Sequence, residues 1–315
     1  MCRYAWGFIM LIDPYGRPVN DIRISITQNC NLNCFYCHRE GECGKTRNEM
    51  TSNEIKKIVE IAAKLGIKRV KITGGEPLLR KDVIQIIEKI SSIKGIRDVS
   101  LTTNGVLLAE YSEKLKEAGL KRVNVSLDTL NPQKYQKITG HNYSNQVVEG
   151  IIRAVETGLN PVKINMVVLK DINDMEIWNM INFSAKTKTI LQLIEFIPLN
   201  TPNKSFKKHH MNLDSIEKEL KRKAVKIITR KLHARKKYFL PNGAEVEIVK
   251  PFHNTVFCAN CTRMRITSDG KLKPCLMRND NLIDILTPIR NNATDKELEE
   301  IFKKAVNLRE PYYKK

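Results

Sequence analysis

Three cysteines with short, unequal spacing are the residues of this sequence best suited to chemistry. Cys30, Cys34 and Cys37 form the pattern C-x3-C-x2-C, and Tyr36 stands directly before the last of them. Thiolates are the soft ligands that hold iron–sulfur clusters, and three of them can bind three irons of a [4Fe–4S] cluster. The fourth iron then has no protein ligand, and an open metal position is where a small molecule can bind and react.

A structural zinc site is the alternative for these cysteines. Zinc sites more often use C-x2-C pairs together with a fourth ligand. His38 could be that ligand, but it directly follows Cys37 and is poorly placed to complete a tetrahedron with it. The spacing therefore favours an iron–sulfur cluster.

A second group of three cysteines lies near the other end of the chain. Cys258, Cys261 and Cys275 give the pattern C-x2-C-x13-C. A closed zinc site needs four ligands, and His253 could supply the fourth, whereas a second cluster with an open iron needs only the three thiolates. We expect an auxiliary cluster here. Cys2 and Cys43 match neither group and are expected to be free or incidental thiols.

An arginine pair stands inside this second group. Arg263 and Arg265 flank Met264, and alternate residues of a strand face the same way. Guanidinium groups bind phosphate and carboxylate through paired hydrogen bonds. We therefore expect this segment to bind an anionic substrate and to take part in catalysis.

Composition narrows the class of protein. The chain has 315 residues, with 54 Lys and Arg against 34 Asp and Glu, which gives a formal charge of +20. This balance suits a nucleic acid, a phosphate-bearing substrate or an acidic protein, although a lysine-rich proteome would also produce it. There is no secretory signal and no apolar run near the roughly 20 residues needed to span a bilayer. Reduced, clustered cysteines indicate a cytoplasmic protein without a membrane partner.

Alternating strand and helix patterns fill the first two thirds of the chain. Thr51 and Glu54 form a capping box that begins a helix. We predict helices at 51–65, 82–90, 107–118, 145–157 and 174–184, between strands at 22–27, 69–73, 99–103, 123–127, 163–168 and 190–197. Such alternation predicts an α/β fold with a parallel sheet. An eight-unit barrel needs about 250 residues, so we predict an incomplete six-unit TIM-type barrel.

The pattern changes after position 200. We predict a polar loop and helix at 204–223, antiparallel strands at 226–231 and 238–249, a hairpin around 268–270 and a helix at 295–304. The predicted domains are a barrel at 1–200 and a smaller α+β region at 201–315, which carries the second cluster and binds substrate.

Several further motifs follow predicted strands. The run Thr-Gly-Gly-Glu-Pro at 73–77 contains Gly74, Gly75 and Glu76, where backbone can approach a ligand and a carboxylate can hold an ammonium group. Thr102 and Ser126 end the next strands, where hydroxyls can bind a ligand or cap the following turn. Parallel barrels place their chemistry at these strand ends, so we expect every motif there.

Basic residues on buried strands form the last pattern. Buried cations are costly without an anionic partner, so a barrel bearing them would suit a triphosphate. Internal ion pairing with acids such as Glu76 and Glu195 is the alternative. The residues concerned are Arg23, Lys71, Lys163, Arg263 and Arg265.

Taken together, these motifs resemble the GTP 3′,8-cyclase family of molybdenum-cofactor biosynthesis, within the radical S-adenosylmethionine (SAM) superfamily. The resemblance spans about 21–276, and its most specific segments are 23–30, 71–77, 101–105, 124–128 and 258–265 with Cys275. It implies two [4Fe–4S] clusters and SAM as cofactors. The first cluster would cleave SAM to a 5′-deoxyadenosyl radical, which takes hydrogen from C3′ of GTP, and C3′ would then attack guanine C8.

The resemblance also implies roles for individual residues. The SAM contacts would be Tyr36, Gly74, Gly75, Glu76, Ser126 and Ile197, and the GTP contacts Arg23, Lys71, Thr102, Lys163, Arg263, Met264 and Arg265. The second cluster would bind guanine through its open iron. An electron donor, a downstream enzyme that accepts the product and a homodimer are the other partners it implies.

The sequence departs from the family at three points. Lys71 stands where arginine is usual, and Ile197 where methionine is frequent. Many members end in a Gly-Gly tail that reaches the active site, whereas this chain ends Glu-Pro-Tyr-Tyr-Lys-Lys at 310–315. Either another segment takes that role or the detailed reaction differs.

Two other functions are compatible with parts of the pattern. A radical SAM enzyme with an auxiliary cluster could act on a peptide or RNA, but the paired arginines favour a nucleotide. A zinc-stabilised protein that binds nucleic acid would not explain the Gly-Gly-Glu-Pro run after a strand.

Overall fold

The computed structural model describes residues 2–5, 8–42 and 48–314 of the chain. Its strands are β1 (Cys2–Ala5), β2 (Phe8–Leu11), β3 (Asp21–Ser25), β4 (Arg69–Thr73), β5 (Asp98–Thr103), β6 (Arg122–Ser126), β7 (Val162–Val168), β8 (Ile190–Glu195), β9 (Lys226–Thr229), β10 (Lys236–Phe239), β11 (Glu245–Val249), β12 (Arg263–Ile266), β13 (Lys271–Lys273) and β14 (Ile283–Asp284). Cys43 lies outside the described residues, and of Cys2 only the backbone is described.

Eleven α-helices are present in the same described ranges. They are α1 (Ser52–Lys64), α2 (Val83–Ser91), α3 (Leu108–Glu117), α4 (Pro132–Thr139), α5 (Ser144–Glu156), α6 (Ile177–Lys186), α7 (Asn203–His209), α8 (Asp214–Lys223), α9 (Thr255–Ala259), α10 (Leu286–Arg290) and α11 (Asp295–Asn307). Among the described residues, no helix has both the length and the apolar character needed to cross a bilayer.

The central sheet confirms the predicted incomplete barrel. Strands β3 to β8 are neighbours in chain order and pair in parallel, with helices between them. The C-terminal strands extend this sheet at both edges, because β11 pairs in parallel with β8 and β12 pairs in parallel with β3. Strands from both predicted domains therefore share one sheet, and the boundary near position 200 stays a prediction.

The barrel strands have one apolar face and one polar face. Ile22 and Ile24 of β3 and Val70 and Ile72 of β4 are buried in the hydrophobic core. Alternate residues of the same strands, such as Arg23, face the other way, as the two-residue period of a strand requires. Parallel strands buried on both faces are usually apolar throughout, so this alternation marks a polar barrel interior.

Capping signals explain where helices begin. The predicted capping box is confirmed, since Thr51 Oγ1 accepts from the Glu54 amide and the Glu54 carboxylate accepts from the Thr51 amide at 2.7 Å. Helix α4 was not predicted, although Asn131 caps it, Pro132 occupies its first turn and Gly140 ends it in the left-handed region. Its short length hid the apolar periodicity.

Candidate active site

A single large cavity contains both cysteine groups. Its volume is about 1440 Å³, and it is lined by Cys30, Cys34, Cys37, Cys258, Cys261 and Cys275. All six are free thiols. The cavity extends through the barrel, since residues before or at the start of strands, such as Gly66 and Pro161, line it together with residues after strands, such as Asn104.

The first cysteine loop follows β3 and is held by the Gly-Gly segment after β4. The Gly75 amide donates to Thr27 O at 2.8 Å, and the Glu76 amide donates to Asn29 O at 2.7 Å. A Cβ on Gly74 would lie 2.3 Å from Thr27 O, and one on Gly75 would lie 2.2 Å from Asn29 O. Both glycines are therefore required by the close approach of two backbones, and both also line the cavity.

Glu76 connects this segment to the next strand instead of facing the cavity. Its side chain is fully buried, and its carboxylate accepts from Thr103 Oγ1 at 2.7 Å and from the amides of Asn104 at 2.6 Å and Leu78 at 3.0 Å. Burial raises the pKa of Glu76 to about 7 despite these hydrogen bonds. The structure does not bring its side chain to the cavity with the other predicted SAM contacts.

Tyr36 and Asp128 form a buried pair beside the first cysteine group. The Tyr36 hydroxyl donates to Asp128 Oδ2 at 2.5 Å, and Asp128 Oδ1 accepts from the Val167 amide at 2.8 Å. Burial raises the pKa of Asp128 to about 6. The predicted SAM contacts Ser126 and Ile197 line the same cavity.

Burial keeps the thiols of the first group protonated, and among the described residues they do not converge into a metal-binding arrangement. Burial is the largest cause that raises the pKa of Cys30, Cys34 and Cys37. A bound metal removes this cost, because a coordinating thiol is deprotonated by the positive charge of the ion. His38, which follows Cys37 in the same loop, also lines the cavity.

The second cysteine group lies at the opposite end of the barrel, so the prediction that every motif stands at the carboxyl ends was wrong. Thr262 O accepts from the amides of Asn20 and Asp21, where β3 begins, and Arg263 pairs with Asp21 in register. The cysteines precede β12 and follow β13, which runs antiparallel to it. Both segments reach the amino end of β3.

Two buried arginines hold the backbone of this second group. Arg17 Nη1 donates to Cys258 O at 2.9 Å, and Arg309 Nη2 donates to Cys261 O at 2.7 Å. Both arginines also pair with Asp13, at 2.8 and 3.0 Å. His253, the possible zinc ligand, instead packs against Tyr313, with 4.9 Å between the ring centroids, and is not among the cavity residues.

On the β3–β12 side of the cavity, two cations share one carboxylate. Glu40 accepts from Arg23 at 3.1 Å and from Arg265 at 2.5 Å, and Thr73 Oγ1 donates to it at 2.9 Å. Glu40 has a φ of 53°, in the left-handed region that non-glycine residues rarely adopt. The pKa of Glu40 is lowered because these cations outweigh its burial.

On the β7–β11 side, a second carboxylate is surrounded by cations. Lys163 Nζ lies 2.6 Å from Glu247 Oε1, and Arg230 and Arg235 also face this carboxylate. Internal ion pairing, the alternative considered for these cations, therefore occurs for Arg23, Lys163 and Arg265, but with Glu40 and Glu247 instead of the acids named for it. Glu76 binds only neutral donors, and Glu195 accepts from His210.

Three predicted GTP contacts line the cavity and make no salt bridge with a described residue. Lys71 Nζ donates to Asn124 Oδ1 at 2.6 Å, and Thr102 Oγ1 is buried with no hydrogen bond. Arg263 makes no hydrogen bond or ion pair with a residue that the structure describes, and burial lowers its pKa. Met264 is buried in the apolar core on the other face of β12, so its side chain does not reach the cavity.

Sequence reasoning missed Glu40, Glu247, Arg230 and Arg235. Glu40 comes within three residues of Cys37, and an acid so close to a metal loop was the available signal. Glu247 occupies an alternate, apolar-flanked position in the strand run Glu-Val-Glu-Ile-Val, which marks it as a buried acid in need of a partner.

Comparison with known proteins agrees with this geometry. Residues 24–184 match the radical SAM superfamily, and residues 189–315 match the C-terminal region of molybdenum cofactor synthesis proteins. A probable GTP 3′,8-cyclase of Thermococcus kodakarensis is 52% identical, across 97% of this chain and 100% of that protein. One of Pyrococcus abyssi is 54% identical, across 96% and 100%. This chain belongs to the radical SAM superfamily and to the family of these probable GTP 3′,8-cyclases.

Solved radical SAM structures share the fold. Streptococcus suis SuiB bound to S-adenosylmethionine superposes with a TM-score of 0.69 at 17% identity, covering 95% of this chain and 68% of that one. Native anSMEcpe with bound AdoMet gives 0.63 at 20% identity, covering 90% and 81%. At these identities the likeness shows the fold alone.

Membership of the radical SAM superfamily implies a [4Fe–4S] cluster and SAM, and the residues present fit both. Three free thiols of one loop supply the soft donor set that such a cluster needs. The backbone of Gly74 and Gly75, which packs directly against the segment that leads into this loop, lines the same cavity, as does Ser126. Cys30, Cys34 and Cys37 would hold the cluster.

Proposed function

We propose that this chain converts GTP to 3′,8-cyclo-7,8-dihydro-GTP, an early step of molybdenum-cofactor biosynthesis. One observation carries the proposal: two groups of three free cysteines open into one cavity, and the polar strand faces between them bear arginine and lysine. A polyanionic substrate fits this charge, and the 52% identity to a probable GTP 3′,8-cyclase supports GTP as that substrate.

The cluster and SAM, when bound, supply the one-electron chemistry that begins hydrogen-atom abstraction from the substrate. The chain contributes position and shielding. Tyr36 is fixed by Asp128, makes edge-to-face contacts with Phe35 and Phe196, and lines the cavity where SAM would bind. Radical chemistry needs a fixed substrate and excluded water, and buried side chains provide both.

A second [4Fe–4S] cluster at Cys258, Cys261 and Cys275 is part of the proposal. These three cysteines also supply soft sulfur ligands. The arginines that donate to the backbone of Cys258 and Cys261 stabilise the conformation of the loop without metal. An open iron at this end of the cavity would receive the guanine. Arg263, which makes no hydrogen bond or salt bridge with a described residue, would act beside it with Arg265.

The residues that we assign to SAM and GTP all line the cavity. Gly74, Gly75, Ser126 and Ile197 would contact SAM, and the GTP contacts would be Arg23, Lys71, Thr102, Lys163, Arg263 and Arg265. The proposal further requires a one-electron donor and a downstream enzyme that accepts the product. We expect the protein to act in the cytoplasm, and a homodimer is compatible with it.

Paired cysteine variants test the two assignments. Cys34→Ala should abolish 5′-deoxyadenosine formation from SAM, because the first cluster loses a ligand. Cys258→Ala should lose about half of the bound iron yet keep slow SAM cleavage without GTP. Normal SAM cleavage in the Cys34 variant, or unchanged iron in the Cys258 variant, would contradict the respective assignment.

A further inference from the structure

The turn between β9 and β10 brings two arginines into the cavity that no motif indicated. Arg230 Nη1 lies 2.7 and 2.9 Å from the two oxygens of Glu247, and Arg235 Nη1 lies 3.7 Å from Oε2. Lys163 contacts the same carboxylate at 2.6 Å. Three cations thus surround one anion, which leaves an excess of positive charge on this wall.

Arg235 is the unsatisfied member of this cluster. Its side chain is 9% exposed, its Nε is buried without a partner, and no side-chain hydrogen bond from it reaches a described residue. Glu247 is already saturated, since it accepts from Lys163, Arg230 and Gln192. A buried guanidinium with unused donors is costly, and the donors that line the cavity are available to a ligand.

The turn is held in a conformation that fixes Arg235. His233 and Ala234 have φ values of 61° and 49°, which are unfavourable for residues other than glycine. The His233 ring stacks on Phe257 at 3.8 Å between centroids, and its amide donates to Asn260 O at 2.9 Å. The turn is therefore fastened to α9, which carries Cys258.

This cluster is continuous with the residues assigned to GTP. Lys71 donates to Asn124, Asn124 Nδ2 donates to Gln192 Oε1 at 3.1 Å, and Gln192 donates to Glu247 at 2.6 Å. The turn that carries Arg235 contacts the segment of the second cysteine group, through the stacking of His233 on Phe257 and the hydrogen bond from the His233 amide to Asn260 O. A nucleotide with its base at the second cysteine group can therefore place its phosphates near Arg235 and Arg230.

We propose that Arg235, supported by Arg230, binds the terminal phosphate of the nucleoside triphosphate. The terminal phosphate carries the most charge and several free oxygens, which match the paired donors of a guanidinium. Glu247 holds Lys163 and Arg230 in place, so Arg235 is left for the substrate. This inference rests on the proposed function, because it takes GTP as the substrate.

A comparison of GTP with GDP tests the assignment directly. Calorimetric titration of the anaerobically reconstituted protein should show that Arg235→Ala weakens GTP binding on the order of tenfold or more. GDP binding should change by less than about twofold, because GDP lacks the group that Arg235 contacts. Arg235→Lys should recover part of the GTP affinity, since it keeps the charge but not the paired geometry.

Arg222→Ala is the matched control, since Arg222 is an exposed arginine of α8 that is not among the cavity residues. It should leave both affinities unchanged. Equal losses for GTP and GDP, or no loss for GTP, in Arg235→Ala would overturn this inference alone. Failure of the unaltered protein to bind GTP would overturn the proposed function and this inference with it.

Discussion

At the scale of residues, Arg23, Lys163 and Arg265, which we assign to GTP binding, form ion pairs with carboxylates that the sequence did not reveal as their partners. The predicted cations of the strands line the cavity, because a strand alternates its faces. Glu40 and Glu247 come from a loop and from a C-terminal strand, so only the folded chain brings them to these cations. Each carboxylate holds its cations in position in the folded chain.

Arg265→Ala should weaken GTP binding on the order of tenfold or more, because it removes charge-assisted hydrogen bonds to the substrate. Binding is measured by calorimetry, together with the iron content of the first cluster, which should not change. Arg222→Ala is again a suitable control, because Arg222 is exposed and is not among the cavity residues. Unchanged GTP affinity in the Arg265 variant would remove this residue from the substrate site.

Glu76 should make stability depend on pH. The folded pKa is about 7 against an ordinary value of 4.5, so the folded state binds this proton more tightly than the unfolded state. The contribution is present below pH 4.5 and is lost as pH rises through 7. Relative to Glu76→Gln, the unaltered protein should lose about 2–3 kcal/mol of unfolding free energy between about pH 5 and 8.

Urea unfolding of both proteins at several pH values measures this difference. The Glu76→Gln variant loses one of the two acceptor oxygens that bind the amides of Leu78 and Asn104. The variant is therefore destabilised at every pH, and only the slope of the difference against pH is diagnostic. A pH-independent difference would show that Glu76 is ionised normally in the folded state.

At the scale of elements, much of the barrel could be predicted from local sequence. The strand at Arg69–Thr73 was predicted at its observed bounds, and the other five barrel strands within two residues of each end. The capping box placed the start of α1 correctly. The loops could not be predicted in the same way, because their form depends on contacts such as that of Gly75 with Asn29.

Gly75→Ala should displace the first cysteine loop. The added Cβ would meet backbone atoms of Asn29 and Gln28 at 2.2 and 2.7 Å, and such overpacking costs about 1–3 kcal/mol. We expect lower iron content in the first cluster and reduced 5′-deoxyadenosine formation. Gly243→Ala, in a turn with no atom within 4 Å of the added Cβ but a φ of 84°, should lose some stability and keep SAM cleavage. Equal SAM cleavage in the two variants would contradict the account.

At the scale of the whole molecule, the C-terminal region completes the barrel wall on both sides. β11 adds to β8 and β12 adds to β3, so residues 189–315 close the cavity that residues 24–184 begin. Local patterns predicted strands at 226–231 and 238–249, and the structure divides the second of these into β10 and β11, which pair with each other. Local patterns could not predict that β11 pairs with β8 or that β12 pairs with β3, because parallel pairing between strands far apart in the chain leaves no local signal. That pairing places the two cysteine groups at opposite ends of one cavity.

The central claim is that both ends of this cavity act on one GTP molecule. The most direct test is 5′-deoxyadenosine formation by the anaerobically reconstituted protein with SAM and a reductant, with and without GTP, followed by analysis of the nucleotide. The account predicts that GTP strongly stimulates formation of 5′-deoxyadenosine and is itself converted to a cyclised nucleotide. Slow SAM cleavage that is indifferent to GTP, with GTP recovered unchanged, would contradict it.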